Sequence, residues 1–255
     1  MAGRAQALPV FGFVSVHERP LPDGTAREQQ VLAELAACGP TGRARAWLWQ
    51  GVQGLVVPRS YERRPHWTEA CAAAAARGWP VQVRASGGGL VPQGPGVWNL
   101  SLAWPAPGAV PTGTDAIYRD LCAALAAALA RLGIAASPQT VAGSFCDGRY
   151  NLAVDGRKLV GTAQAWRRVG GVPMVLAHAV IVVSADPTEL TARANAFEAA
   201  PATGTRYRAD ALTSVALATR QRDIEARTLT VLAEQFARVV PPRVFASTEN
   251  PHGAA

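Results

Sequence analysis

Apolar positions recur along this chain at two spacings, and the two alternate without strict order. After the Pro20 to Gly24 turn, residues 25–38 carry a helical pattern that ends at Gly39 and Pro40, where a C-terminal Gly-Pro pair closes a helix. Residues 46–50 and 55–57 are short apolar runs bounded by Gly and Pro and read as strands. Residues 66–77 form a second helix closed by Gly78, and residues 81–84 and 99–104 form two more strands around Ser86-Gly87-Gly88-Gly89. Ile117, Leu121, Leu125, Ala128 and Leu132 line one face of a helix over residues 115–132. Residues 152–154 and 159–160 flank Asp155-Gly156, a hairpin signal, and residues 172–183 are largely β-branched and predict one long strand. Asp186-Pro187-Thr188-Glu189 combines a cap, Pro at the first helical position and an early acid, so a helix starts there. A last helical stretch covers about 214–239, with or without a break, and presents Ile224, Val231, Leu232 and Phe236 to a core. The sum is an α+β fold with a mixed, largely antiparallel sheet flanked by helices. We find neither an internal repeat nor a linker, so residues 1–246 are expected to form one domain. Residues 247–255 are small and polar, a disordered tail.

Composition narrows the function. With 49% hydrophobic and 17% charged residues, the 255-residue chain can bury a sizeable core. No apolar run reaches the length of a membrane span, and no secretory leader is evident. The net charge of +7 comes from scattered arginines without interleaved aromatic blocks. That distribution argues against nucleic acid and for an acidic protein partner. The four cysteines, Cys38, Cys71, Cys122 and Cys146, show no C-x-x-C spacing, which disfavours a zinc knuckle and a disulfide framework and suggests a cytoplasmic protein. No metal-ligand spacing, nucleophile elbow or P-loop is found.

Three segments carry candidate chemistry. Residues 83–102 read VRASGGGLVPQGPGVWNLSL, in which three glycines between strands let backbone approach a ligand, with Arg84 before and Asn99 after them. A surface turn is the plainer explanation of glycines alone. Residues 143–166 read GSFCDGRYNLAVDGRKLVGTAQAW and hold Lys158, the only lysine among 25 basic residues. It is either an accident of Arg-biased usage or a compact ammonium placed where a guanidinium fork does not fit. Cys146 lies in the loop before the hairpin, near Arg149 and Lys158, where a thiolate nucleophile is conceivable. Most cysteines are small buried apolar residues, which suits Cys38, Cys71 and Cys122 better than Cys146. His178, in the apolar strand LAHAV, reads first as a core histidine.

Together these segments resemble the biotin/lipoate A/B protein ligase family, over about residues 80–183. RASGGGLVPQGPGVWN is similar to that family's R-x-S-G-G-G-x-V-x-H-x-x-G-x-x-N stretch through Arg84, Ser86, Gly87, Gly88, Gly89, Val91 and Asn99. Gln93 stands where the family commonly has His, and one residue is inserted before Asn99. NLAVDGRKLVGTA resembles N-D-L-x-V-x-G-x-K-I-x-G-x-A through Asn151, Leu152, Val154, Gly156, Lys158, Gly161 and Ala163. LAHAVIVV resembles the family's Q-H-G-x-L-L strand, with Ala179 in place of Gly.

The resemblance implies the fold of the lipoate ligase and octanoyltransferase catalytic domain and a buried acyl tunnel. It makes Lys158 and Cys146 the catalytic candidates. Arg84, Ser86, Gly87, Gly88, Gly89, Asn99, Asn151, Gly161, Thr162, Ala163 and His178 become the acyl- or adenylate-binding candidates. It implies transfer of octanoate or lipoate to a lysine of a lipoyl carrier domain, of the glycine cleavage H protein or 2-oxoacid dehydrogenase E2 type, with acyl carrier protein as a candidate donor. One branch uses a cysteine in the loop before the lysine-bearing hairpin, which favours a Cys146 acyl-enzyme. The alternative is an ATP-dependent lipoate ligase, which would need ATP and Mg. A non-catalytic relative that binds carrier domains is a third, kept open by Gln93.

Overall fold

The computed structural model describes residues 8–84, 87–106, 114–200 and 204–237, so Ser86 and the expected tail lie outside the described residues. Ten strands and six helices follow in the order β1 (Val14–Val16), α1 (Gly24–Ala37), β2 (Arg45–Gln50), β3 (Gly54–Pro58), α2 (Trp67–Ala76), β4 (Val81–Arg84), β5 (Val91–Gln93), β6 (Val97–Pro105), α3 (Thr114–Ala130), β7 (Ser137–Gln139), β8 (Asn151–Val154), β9 (Arg157–Val169), β10 (Val172–Val182), α4 (Pro187–Glu198), α5 (Val215–Thr219) and α6 (Glu225–Phe236). Seven strands form one sheet in the order β1-β2-β6-β10-β9-β8-β7, and three form a smaller one in the order β4-β3-β5. Only β1 with β2 and β3 with β4 run parallel; the remaining pairs are antiparallel. The expected mixed, largely antiparallel α+β architecture is the one observed.

The large sheet is covered on both faces, which explains why its central strand β10 is apolar almost throughout. Alternate residues of a strand point to opposite faces. Trp98, Leu100 and Leu102 of β6 and Ala177, Ala179 and Ile181 of β10 pack against the buried faces of α3 and α6. On the other face, α1 packs Val31, Leu32 and Leu35 against Trp47, Trp49 and Leu176. The small sheet, α2 and α4 form a third layer around Leu55, Val57, Leu190 and Phe197. The interval between α1 and this third layer, over β6, β9 and β10, is where polar residues collect. Among the described residues no helix is long and apolar enough to cross a membrane.

The expected Asp155-Gly156 hairpin is present, with φ of 49° at Asp155 and 72° at Gly156, the paired positive angles of the turn that suits a twisted hairpin. Its second arm is far longer than the two apolar residues suggested. β9 continues through Gln164 to Val169, and its residues 160–169 pair with β10. The segment Gln164 to Arg168 has no alternating apolar face; it is held by pairing with β10 and by Trp166, which packs against the core. The last helical stretch is broken: Arg220 turns left-handed at φ 57° and ends α5, and α6 starts at Glu225. Strands β1, β5 and β7 have three residues each, too few to show a period.

Gly96 ties two neighbouring strands of the large sheet together at their ends. Its carbonyl accepts from Val183 N at 2.8 Å and Ser184 N at 3.1 Å, docking the start of β6 on the end of β10. Its φ is +78°, and a methyl there would lie 2.4 Å from the Ala185 nitrogen, which backbone cannot yield. Gly96→Ala is therefore expected to cost at least about 2 kcal/mol of stability, read from the urea midpoint.

Candidate active site

Lys158 pairs with Ala153 in the register set by the Asp155-Gly156 turn, but the next pair is Leu152 with Val160, so Leu159 is an extra residue and a bulge lies directly beside the lysine. Its side chain runs inward and is 6% exposed. Nζ donates to the carbonyl oxygens of Phe145 and, at 2.9 Å, of Cys146. Burial pulls this ammonium down to about 8, against the opposing pull of Cys146 and Asp147. Three donors and two carbonyls leave one N–H of the ammonium available. Gly161 makes the space: a methyl on it would lie 3.1 Å from Lys158 Nζ.

Cys146 is held in a left-handed conformation, φ 50°, which costs a non-glycine residue on the order of 1–3 kcal/mol. Its own carbonyl offsets that cost. Lys158 Nζ at 2.9 Å, Asn151 Nδ2 at 2.8 Å and Gly148 N at 2.9 Å all donate to it. Each such bond contributes about 1 kcal/mol, more from the ammonium. The conformation turns the thiol toward the glycine loop: a methyl built on Gly88 would lie 2.9 Å from Cys146 Sγ and 3.1 Å from Arg84 Nη2. Thiol and guanidinium thus stand on the same side of Gly88.

The Arg84 guanidinium is committed to backbone. Nη1 donates to Val56 O at 3.0 Å, and Nη2 to Gly87 O at 3.0 Å and Gly89 O at 2.6 Å. Burial lowers its pKa, and the nearby Cys146 side chain opposes that. Arg84 therefore shapes the glycine loop.

Lys158, Cys146, Arg84, Gly87, Asn99, Asn151, Gly161, Thr162, Ala163 and His178 all line one cleft of about 100 Å3. Of the three glycines only Gly87 lines the cleft; Gly88 lies beside the Cys146 sulfur and Gly89 beside the Cys146 backbone. Thr162 lines the cleft while its hydroxyl donates to Tyr150 O at 2.6 Å. Ser86 lies outside the described residues. The walls are apolar: Val56, Val91, Val97, Val180, Val182 and Leu190.

At one side of the cleft is a buried polar chain that the sequence reading did not single out. Trp49 Nε1 donates to Ser101 Oγ at 2.9 Å, Ser101 Oγ donates to Glu28 Oε1 at 2.7 Å, and His178 Nδ1 is 3.3 Å from the same oxygen. His178 is thus a partnered cleft residue, not a core one. Asn99 and Gln93 form a reciprocal amide pair, 2.8 and 3.2 Å, with Asn99 also reaching Trp49 O. Asn99 and Ser101, polar at alternate positions of the apolar strand β6, were the available sign of a polar face. Nothing comparable marks Glu28 within its helix.

Gly88→Ala tests this packing. With φ at +102° and the thiol 2.9 Å from the added methyl, the variant is expected to lose about 1–3 kcal/mol of stability. It should also alter the rate at which iodoacetamide alkylates Cys146, read by peptide mass spectrometry. An unchanged midpoint and alkylation rate would contradict the described packing.

Residues 31–234 match the family model described as the lipoyl protein ligase A/B catalytic domain. An uncharacterized protein of Cupriavidus necator is 45% identical over 218 residues, 80% of this chain and 85% of the relative. An octanoyl-[GcvH]:protein N-octanoyltransferase of Kyrpidia tusciae is 38% identical over 183 residues, 68% of this chain but 62% of the relative. Among solved structures, lipoate-protein ligase A bound with ATP superposes with a TM-score of 0.64 at 18% identity, covering 89% of this chain and 85% of that one. A bi-partite lipoate protein ligase from Thermoplasma acidophilum gives 0.54 at 18% identity, covering 90% and 93%. The cleft, the fold that builds it and the match over most of its length agree: the chain belongs to the lipoyl protein ligase A/B catalytic-domain family, whose members are acyltransferases and ligases.

Proposed function

We propose that this protein transfers an octanoyl or lipoyl group to a lysine of a lipoyl carrier domain through a thioester on Cys146. The observation that carries the thiol route is the pairing at one cleft of the left-handed Cys146 with the Lys158 ammonium bonded to its carbonyl. The donor is an octanoylated carrier: the thioester of an acyl carrier protein, or the octanoyl-lysine of a glycine cleavage H protein, in line with the name of the Kyrpidia relative. Acceptors are glycine cleavage H protein or 2-oxoacid dehydrogenase E2 domains. The four cysteines are all unpaired, which accords with a reducing, cytoplasmic setting.

In the first step the Cys146 sulfur attacks the acyl carbonyl carbon. A C–S bond forms as the donor's C–S or C–N bond breaks, and the thiol proton leaves with the departing thiol or amine. In the second step the acceptor lysine amine attacks the thioester. An amide bond forms, the C–S bond breaks, and sulfur takes a proton from the amine. In both steps negative charge develops on the carbonyl oxygen. The free N–H of Lys158 answers that charge in a dry site, where a preformed donor is most effective. The apolar walls take the alkyl chain.

The ligase alternative keeps the same cleft, with ATP and Mg as co-reactants. Arg84 gives its guanidinium to three carbonyls, which leaves it poorly placed to hold a phosphate and favours the thiol route.

Incubation with octanoyl carrier protein or octanoylated H protein should add one octanoyl mass to Cys146, and Cys146→Ser should stay unmodified while folded. ATP-dependent lipoylation by Cys146→Ser would establish the ligase reading instead. The pH dependence carries its own sign. The Lys158 ammonium exists below about pH 8, so kcat/KM for acylation should fall on the basic side with a limb near 8. Between about 8 and the ordinary 10.5, the unfolded chain holds more protons at this lysine than the folded one, so stability should rise with pH there. Lys158→Met should abolish both effects and slow acylation by roughly 10²–10³. A profile flat through pH 10 would rule the ammonium out.

A further inference from the structure

A second buried polar cluster stands behind the thiol. Glu198, the last residue of α4, is 1% exposed. Its Oε1 accepts from Tyr61 Oη at 2.6 Å and Tyr207 Oη at 3.0 Å, and its Oε2 accepts from Arg64 Nη1 at 3.1 Å. The Asn195 side chain grips the backbone of Tyr207 on both sides, donating to its carbonyl at 2.9 Å and accepting from its N–H at 2.8 Å. Tyr207 is thereby fixed at both ends, by ring hydroxyl and by main chain.

What Tyr207 touches is the Cys146 loop. Its ring meets Phe145 edge to face, centroids 4.9 Å apart. The next residue, Arg208, donates its N–H to Gly143 O at 2.8 Å, where that loop begins. A methyl on Gly89 would lie 3.7 Å from Tyr207 Oη and 3.8 Å from Cys146 N, so the same ring borders the glycine loop. Phe145 is also the residue whose carbonyl receives the Lys158 ammonium. One tyrosine therefore meets Phe145, which both belongs to the sulfur-bearing loop and anchors the ammonium, and borders Gly89, the neighbour of the glycine beside the sulfur. Burial beside a carboxylate pushes its hydroxyl pKa well up, so it remains a donor to Glu198.

We infer that Tyr207, locked by Glu198 and Asn195, is a positioning residue that sets the Cys146 sulfur relative to the Lys158 ammonium through Phe145. The inference rests on the acyl-enzyme reading of Cys146 for its catalytic consequence, but its geometric content can be measured without it. Nucleophile and oxyanion donor must address one carbonyl, and a misplacement of about 1 Å can cost on the order of 100-fold in rate.

The test compares full-length wild type, Tyr207→Leu and Tyr207→Phe. Two rates are measured: octanoylation of Cys146 in a single turnover, and iodoacetamide alkylation of Cys146, both read on the Cys146 peptide. Tyr207→Leu, which removes the ring edge, should slow octanoylation by about 10- to 100-fold, with the donor concentration at half-maximal rate within about 3-fold of wild type. The alkylation rate should change, and the basic limb near pH 8 should move downward, because an ammonium that loses its fixed carbonyl acceptor gives up its proton more readily. Tyr207→Phe keeps the ring and the Asn195 grip but loses the bond to Glu198, so its octanoylation rate should fall between those of Tyr207→Leu and wild type. Should Tyr207→Leu prove unfolded by circular dichroism, Tyr207→Met takes its place, filling the volume without an aromatic edge. A lower melting temperature with both rates and the limb unchanged would make Tyr207 merely structural and overturn the inference. If wild type gains no octanoyl mass, the acyl-enzyme reading fails on its own, and the alkylation ratio still decides whether Tyr207 sets the sulfur.

Discussion

An ammonium taken out of water must find acceptors, and the geometry of this cleft follows from where Lys158 finds them. Its two acceptors are consecutive carbonyls, Phe145 and Cys146, and both belong to the loop that carries the candidate nucleophile. A charge buried in this way costs several kcal/mol unless it is bonded. The loop must therefore turn its carbonyls toward the lysine, and doing so forces Cys146 into the left-handed region. Strain at the cysteine and charge at the lysine are two sides of one contact.

The surrounding residues make sense as consequences. Asn151 and Gly148 add donors to the Cys146 carbonyl. Gly161 leaves room for the ammonium and Gly88 for the sulfur. Arg84 pins the glycine loop so that the room persists. Behind the loop, Glu198 and Tyr207 supply a rigid wall. The paired amides of Gln93 and Asn99 show why a glutamine is tolerated at position 93: its amide both donates to and accepts from Asn99 within a buried setting.

The parts of this arrangement that were legible in the sequence share a physical character. The period-3.6 spacing in α3 and the near-continuous apolar run of β10 reported their burial directly. Asp155-Gly156 reported its turn through the φ values that its residues tolerate. The lone lysine and the glycine triplet were visible because each is rare in its surroundings. Other parts depend on distant residues meeting. Glu28 lies 150 residues from His178 and 73 from Ser101, and Glu198 lies 137 from Tyr61, so no local pattern can announce either network. The length of β9 was hidden for a related reason: its outer half is held mainly by hydrogen bonds to β10, with Trp166 its main core contact, and backbone pairing leaves no mark on side-chain polarity. The positive φ of Cys146 was equally invisible, since a cysteine has no preference for it.

If one ammonium and one thiol address the same carbonyl, that carbonyl must feel the charge. Infrared difference spectroscopy of the acyl-enzyme made with carbonyl-13C octanoyl donor reads this directly. The thioester stretch in wild type should be shifted to lower frequency relative to the Lys158→Met acyl-enzyme, because a hydrogen bond from the ammonium weakens the C=O bond. Equal frequencies in the two proteins would mean that Lys158 does not reach the acyl carbonyl, and would contradict the account at its centre.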